Sequence, residues 1–90
     1  MSKEEIKSVS IIGLGNFGQF VASMIPKDQG IEIMGCDPIV SEIDPGIKMV
    51  ELGRAALADV IVLAIPLSKY ETVLKPLAGL IAKNGLLVDV

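Results

Sequence analysis

The 90-residue sequence predicts an α/β fold: the first half of a doubly wound parallel sheet, about five strands, with a shortened second crossover. Three observations carry that expectation. Short apolar runs rich in Val and Ile alternate with segments of helical apolar spacing, the pattern of parallel strands covered by crossover helices. Hydrophobic residues make up 51% of the chain and mean hydropathy is +0.62, which suits a sheet buried on both faces. A glycine-rich turn, Gly13-Leu14-Gly15-Asn16-Phe17-Gly18, joins the first run to the first helical segment.

The elements follow in order. Lys7 to Ile12, with the β-branched Val9, Ile11 and Ile12, reads as a buried strand. Phe17, Phe20, Val21, Met24 and Ile25 recur at helical spacing and predict an apolar stripe packed on the core, with Pro26 ending the helix. Ile31 to Cys36 is the second strand, bounded by Gly30 and Asp37-Pro38. The stretch from Pro38 to Gly46 is too short for the usual helical crossover between parallel strands. Either its helix is reduced to a turn or the next strand is not a standard parallel neighbour. Ile47 to Val50 reads as a short third strand and Gly53 to Ala58 as a single helical turn; a helix from Ile47 to Leu57 is the competing reading. Val60 to Ile65 is a fully apolar fourth strand. Ser68-Lys69-Tyr70-Glu71 has capping-box spacing, and Tyr70, Val73, Leu74, Leu77 and Ile81 form the apolar face of the following helix. Pro76 is expected to kink or split that helix, and Asn84-Gly85 to close it. Leu86 to Val90 begins a further buried strand.

The totals bound the function. One domain of this size has a small core. Net charge is −3 and the eight Lys and Arg are scattered, so no basic patch for nucleic acid is expected. No apolar run reaches the roughly 20 residues of a membrane span, and the polar start Met1-Ser2-Lys3-Glu4-Glu5 does not read as a signal peptide. Cys36 is the single cysteine, which excludes an internal disulfide and fits a cytoplasmic setting. The chain has no His, which excludes imidazole metal ligands and histidine acid–base catalysis within it.

Chemistry concentrates at the glycine turn. It fits G-x-G-x-x-G, follows a strand and opens a helix, and Asp37 stands nineteen residues after Gly18 at the end of the second strand. The glycines allow a tight turn, close backbone approach to a pyrophosphate and close helix–strand packing. The first N–H groups of a helix lack partners within it, and the helix dipole favours an anion there. These features predict a Rossmann-like dinucleotide site; the plainer reading is a turn that uses glycine only for packing. Asp37 can accept hydrogen bonds from an adenosine ribose and would repel a 2′-phosphate, favouring NAD over NADP. Its plainer reading is Asp-Pro turn chemistry. Ile65, Pro66 and Leu67 end the fourth strand on the same carboxyl edge and are candidates to flank the cofactor; Ser68 reads as a helix cap. Cys36, Met24, Met34 and Met49 read as core filler.

The run Ile11-Ile12-Gly13-Leu14-Gly15-Asn16-Phe17-Gly18-Gln19-Phe20 resembles the opening of the prephenate/arogenate dehydrogenases. Ala58 to Pro66, Leu74-Lys75-Pro76-Leu77 and Leu86 to Val90 are similar to that family's later strands and helix, though these stretches are shared with other six-phosphogluconate-dehydrogenase-like domains. The resemblance covers nearly all of the chain except Pro38 to Gly46. It implies a nicotinamide cofactor and oxidative decarboxylation in tyrosine biosynthesis, with prephenate and arogenate both open as substrates. It also implies a catalytic His and a helical dimerisation domain that this chain lacks. The expectation is therefore a single NAD-binding domain over residues 1–90, incomplete at its C-terminus and not catalytic alone. The alternative is a stand-alone nucleotide-sensing or interaction module. An exposed last strand predicts a homodimer that covers it.

Overall fold

The computed structural model describes residues 6–26, 30–37, 46–80 and 85–89. Strands β1 (Ser8–Ile12), β2 (Glu32–Cys36), β3 (Lys48–Met49), β4 (Val60–Leu63) and β5 (Leu86–Asp89) form one sheet in the order β3-β2-β1-β4-β5. All neighbours pair in parallel. The chain builds outward from β1 through β2 to β3, then returns to the other side of β1 for β4 and β5. That reversal makes the carboxyl ends of β1 and β4 the topological switch point of the sheet.

Strand periodicity divides the core. Val9, Ile11, Ile33 and Val62 point to one face, where Ala22 joins them and Val21 and Ile25 pack against them from helix α1 (Asn16–Ser23). Ile12, Met34, Ile61 and Leu63 point to the other, against Ala56, Ala58 and Leu77. That second face is covered by the short helix α2 (Leu52–Ala55) with its following turn, and by α3 (Tyr70–Ala78). Residues 9 to 12 of β1 are all buried, because the strand lies between two partners and both of its faces are covered. Ser10 lies on the α2 face with no exposure, and its hydroxyl donates to the Ala55 carbonyl at 2.8 Å.

The amino edge of the sheet is tied by Asp59. Its Oδ2 accepts from the Lys7 and Ser8 backbone N–H groups at 2.8 and 3.2 Å, while the Asp59 N–H donates to Ser8 Oγ at 3.0 Å. Asp59, which immediately precedes the apolar β4 run, thus links the starts of β1 and β4.

Several expectations hold. The short third strand is present and parallel to β2, and a single helical turn follows it, beginning one residue earlier than expected. The connection at 38–45, the expected helix residue Ile81 and the closing Asn84 lie outside the described residues. Others are corrected. The apolar stripe of α1 does not all face the core: Phe17, Phe20 and Met24 are 53%, 59% and 66% exposed. The face toward the sheet is instead Gly18, Val21, Ala22 and Ile25, since close packing at Gly18 sets which side of the helix touches the strands. Met24 and Met49 are exposed, whereas Met34 is core. Ser68 is not a helix cap: Leu67–Lys69 form a 3-10 turn, Lys69 is the N-cap of α3, and no side chain caps it. Pro76 does not split α3, which runs through it. It falls two residues before the helix ends at Ala78, and the C-cap is Gly79 rather than the expected Asn84-Gly85. No helix among the described residues is long and apolar enough to cross a membrane.

The outer face of α1 and the centre of β4 give a direct contrast. Ile61→Ala should lower stability by about 2–5 kcal/mol, because a fully buried strand residue leaves a cavity. Phe20→Ser should change it by less than about 0.5 kcal/mol, as at an ordinary surface position. Urea denaturation of the two variants measures both.

Candidate functional site

The carboxyl edge brings together three segments that are distant in sequence: the glycine turn after β1, Cys36-Asp37 after β2, and Ala64 to Leu67 after β4. Gly13 holds them. Its φ is +100°, a conformation that favours glycine. Its N–H donates to the Cys36 carbonyl at 2.9 Å. A Cβ at Gly13 would collide with the Ala64 carbonyl oxygen and would stand 2.8 Å from Ile65 Cγ2. The turn is therefore pressed backbone-to-backbone against the end of β4, while the Ala64 N–H continues the sheet by donating to the Ile12 carbonyl at 2.9 Å.

Gly18 is equally constrained. A Cβ there would overlap the Gly13 carbonyl oxygen, so α1 sits this close to the turn only because position 18 has no side chain. Gly15 differs. Its φ of −70° suits any residue, and a Cβ there would meet no protein atom within 4 Å. Packing explains Gly13 and Gly18; only open space in front of the turn corresponds to Gly15.

Gly15 is also the N-cap of α1. No side chain caps this helix start and no acidic residue lies in its first turn. The first N–H groups of the helix have no acceptor within it, and the dipole is positive there. An anionic group can approach this surface without displacing a capping side chain. Asn16 and Phe17 contribute backbone to that first turn, and their side chains are exposed. The Phe17 and Phe20 rings lie 6.4 Å apart on the outer side of α1.

Asp37 reaches the same turn. Its Oδ2 accepts the Leu14 N–H at 2.7 Å. The acid expected to face a ribose is thus joined directly to the loop expected to face the phosphates. Cys36 is half-buried beside it, and burial, followed by the Asp37 charge, pushes the thiol above its ordinary value. Ile65 is partly buried against the turn, Pro66 is exposed, and Leu67 begins the 3-10 turn.

Two further residues shape the site that motif reading passes over. Gly35 in β2 leaves room for Leu14: a Cβ there would stand 2.6 Å from Leu14 Cδ1 and 3.0 Å from Ile47 Cγ2. A glycine inside an apolar strand run is the sequence signal for such a close approach. Gln19, just after the fingerprint, donates from Nε2 to the Leu14 carbonyl at 2.9 Å. Among the described residues no group of three or more His, Cys, Asp or Glu could hold a metal ion.

A parallel sheet of this order, with a glycine turn and an uncapped helix start at its switch point, defines the class: a nucleotide-binding Rossmann domain of the dehydrogenase type. The chain belongs to the family described as NADP oxidoreductase, coenzyme F420-dependent, whose model matches residues 8–90. Among solved structures it is similar to the NAD-dependent formate dehydrogenase of Staphylococcus aureus in complex with NAD, at 25% identity and TM-score 0.79, covering 94% of this chain and 26% of that one. It is also similar to the apo D-lactate dehydrogenase of Escherichia coli, at 24% identity and TM-score 0.78, covering 92% and 28%. An acyclic imino acid reductase in complex with NADPH and D-Arg matches at 23% identity and TM-score 0.78, covering 98% and 29%. The chain therefore spans between a quarter and a third of each of these structures. A comparison with curated proteins gives no significant match.

Gly35→Ala tests the support beneath the turn. The added methyl should lower stability by about 1–3 kcal/mol through overpacking against Leu14 and Ile47. Gly15→Ala, which meets open space, should leave the melting temperature nearly unchanged. Thermal unfolding of both variants checks the contrast.

Proposed function

We propose that this chain is the dinucleotide-binding portion of a dehydrogenase and that it takes NAD in preference to NADP. The observation that carries the reading is the open face at Gly15, set against an uncapped helix start. In this proposal the pyrophosphate lies across Gly13, Leu14, Gly15, Asn16, Phe17 and Gly18. Asn16, Phe17 and Gly18 supply first-turn N–H groups, and Gly15 supplies the space. Asp37 accepts from the adenosine ribose, and Ile65, Pro66 and Leu67 border the cofactor from the β4 side. The nicotinamide, when bound, supplies the hydride chemistry. The chain's own residues bind and orient, and we assign it no catalytic residue.

The preference for NAD is an electrostatic argument. A 2′-phosphate would come close to the Asp37 carboxylate, and no Arg follows closely in the sequence to offset that repulsion. The family's description names NADP, so Asp37 is the position at which this chain would part from it. The similarity of Asn16-Phe17-Gly18-Gln19-Phe20 to the prephenate/arogenate dehydrogenases supports one of those two compounds as the substrate of the whole enzyme. A homodimer is part of the same proposal: among the described residues β5 stands at the edge of the sheet with Leu87 exposed, and a monomer by light scattering would remove it.

Nucleotide titration followed by thermal unfolding tests the binding. NAD at tenfold its dissociation constant should stabilise the fold by about 1.4 kcal/mol, or about 6 to 11 °C for a domain of this size. NADP should give a smaller shift at equal concentration. Gly15→Val should lose the NAD shift, because its side chain extends into the open face, while the variant still unfolds in a single cooperative transition. No shift with either nucleotide refutes the proposal, and a larger shift with NADP refutes the role given to Asp37. The substrate assignment is checked on a longer polypeptide that carries this domain: NADH should form with prephenate or arogenate, and inactivity toward both overturns it.

A further inference from the structure

Leu14 is held from three sides. Its side chain is fully buried above Gly35. Its N–H donates to Asp37 Oδ2 at 2.7 Å, and its carbonyl accepts from Gln19 Nε2 at 2.9 Å. The last contact reaches beyond Leu14. The Leu14 carbonyl and the Gly15 N–H belong to one planar trans peptide, so they point in opposite directions. Whatever fixes the carbonyl fixes the direction of the N–H. Glycine on one side of that peptide leaves its rotation soft, since Gly15 carries no side chain to restrict its dihedrals. The Gln19 amide is the side-chain group that fixes it. Gln19 is itself set by the helix, where its N–H donates to the Gly15 carbonyl at 3.0 Å.

We propose that Gln19 is a positioning residue: its side-chain amide holds the Leu14–Gly15 peptide so that the Gly15 N–H is presented to the anionic part of the ligand. The proposal rests on the dinucleotide reading above. It gives Asp37 and Gln19 complementary tasks, one on each polar group of Leu14. Asp37 fixes where the turn begins, and Gln19 fixes which way its next donor faces. Gln19 is exposed, so its side chain contributes to the turn rather than to the core.

The test is Gln19→Met, which keeps the length of the side chain and removes the donor. Calorimetric affinities are measured for NAD and for adenosine, which has the ribose but no phosphate. NAD should bind roughly three- to tenfold more weakly, the loss of one neutral hydrogen bond, while adenosine binding stays the same. In the protein without nucleotide, the Gly15 amide resonance should move, while the variant still unfolds in a single cooperative transition. Equal NAD affinity in the variant and the parent overturns the role of Gln19, as does an equal loss for NAD and adenosine, which would mark a general loosening. If the parent itself fails to bind NAD, the dinucleotide reading fails. The Gly15 resonance then still reports whether Gln19 orients the peptide.

Discussion

The carboxyl edge depends on backbone meeting backbone at Gly13. This residue touches β2 through its N–H, β4 through its bare α-carbon and α1 through its carbonyl, which lies where a side chain on Gly18 would otherwise be. Three elements far apart in sequence therefore share one contact. The geometry leaves no room for a methyl group at either glycine, and the nearest atom in the way is in each case a main-chain carbonyl oxygen that cannot swing aside. The direction of α1, the closeness of its first turn to the sheet and the reach of Asp37 to Leu14 all follow from that approach.

The alternation of apolar runs with helical spacing revealed the sheet because both faces are covered, so the residues from Val9 to Ile12 are apolar apart from Ser10. The glycine turn was legible for a similar reason: backbone contact admits only one residue type. The orientation of α1 was less so. Phe17, Phe20 and Met24 have the spacing of a buried stripe, but a helix brought in on Gly18 and Ala22 turns that stripe outward. Periodicity shows that a helix has an apolar face and says nothing about which neighbour sets its rotation. Ser68 misled in another way. Its spacing to Glu71 fits a capping box, yet a 3-10 turn from Leu67 to Lys69 places it before the helix starts.

Within the site, the individual candidates were readable and their connections were not. Asp37 carries a sequence signal through its distance from the fingerprint. Its bond to Leu14 depends on β1 and β2 ending side by side, which is a property of sheet order. Gln19 has no signal as a single residue, since an exposed amide on a helix is commonplace. It acquires meaning from the adjacent turn, where its side chain reaches a carbonyl one turn back. Gly35 lies between: its presence in an apolar run is noticeable, but the neighbour it accommodates comes from another part of the chain.

Ser10 has a consequence for how the sheet finds its pairing. It is the one buried polar side chain among the described residues, and its acceptor lies on the α2 face. Parallel strands that are apolar on both sides discriminate poorly between neighbouring registers, because a slip by one residue exchanges one greasy face for another. A slip of β1 would carry the Ser10 hydroxyl to the α1 face, away from the Ala55 carbonyl, and leave it dry at a cost of about 1–3 kcal/mol. One small hydroxyl thus works as an alignment mark, making the arrangement that sets the glycine turn beside Asp37 lower in energy than its shifted copies.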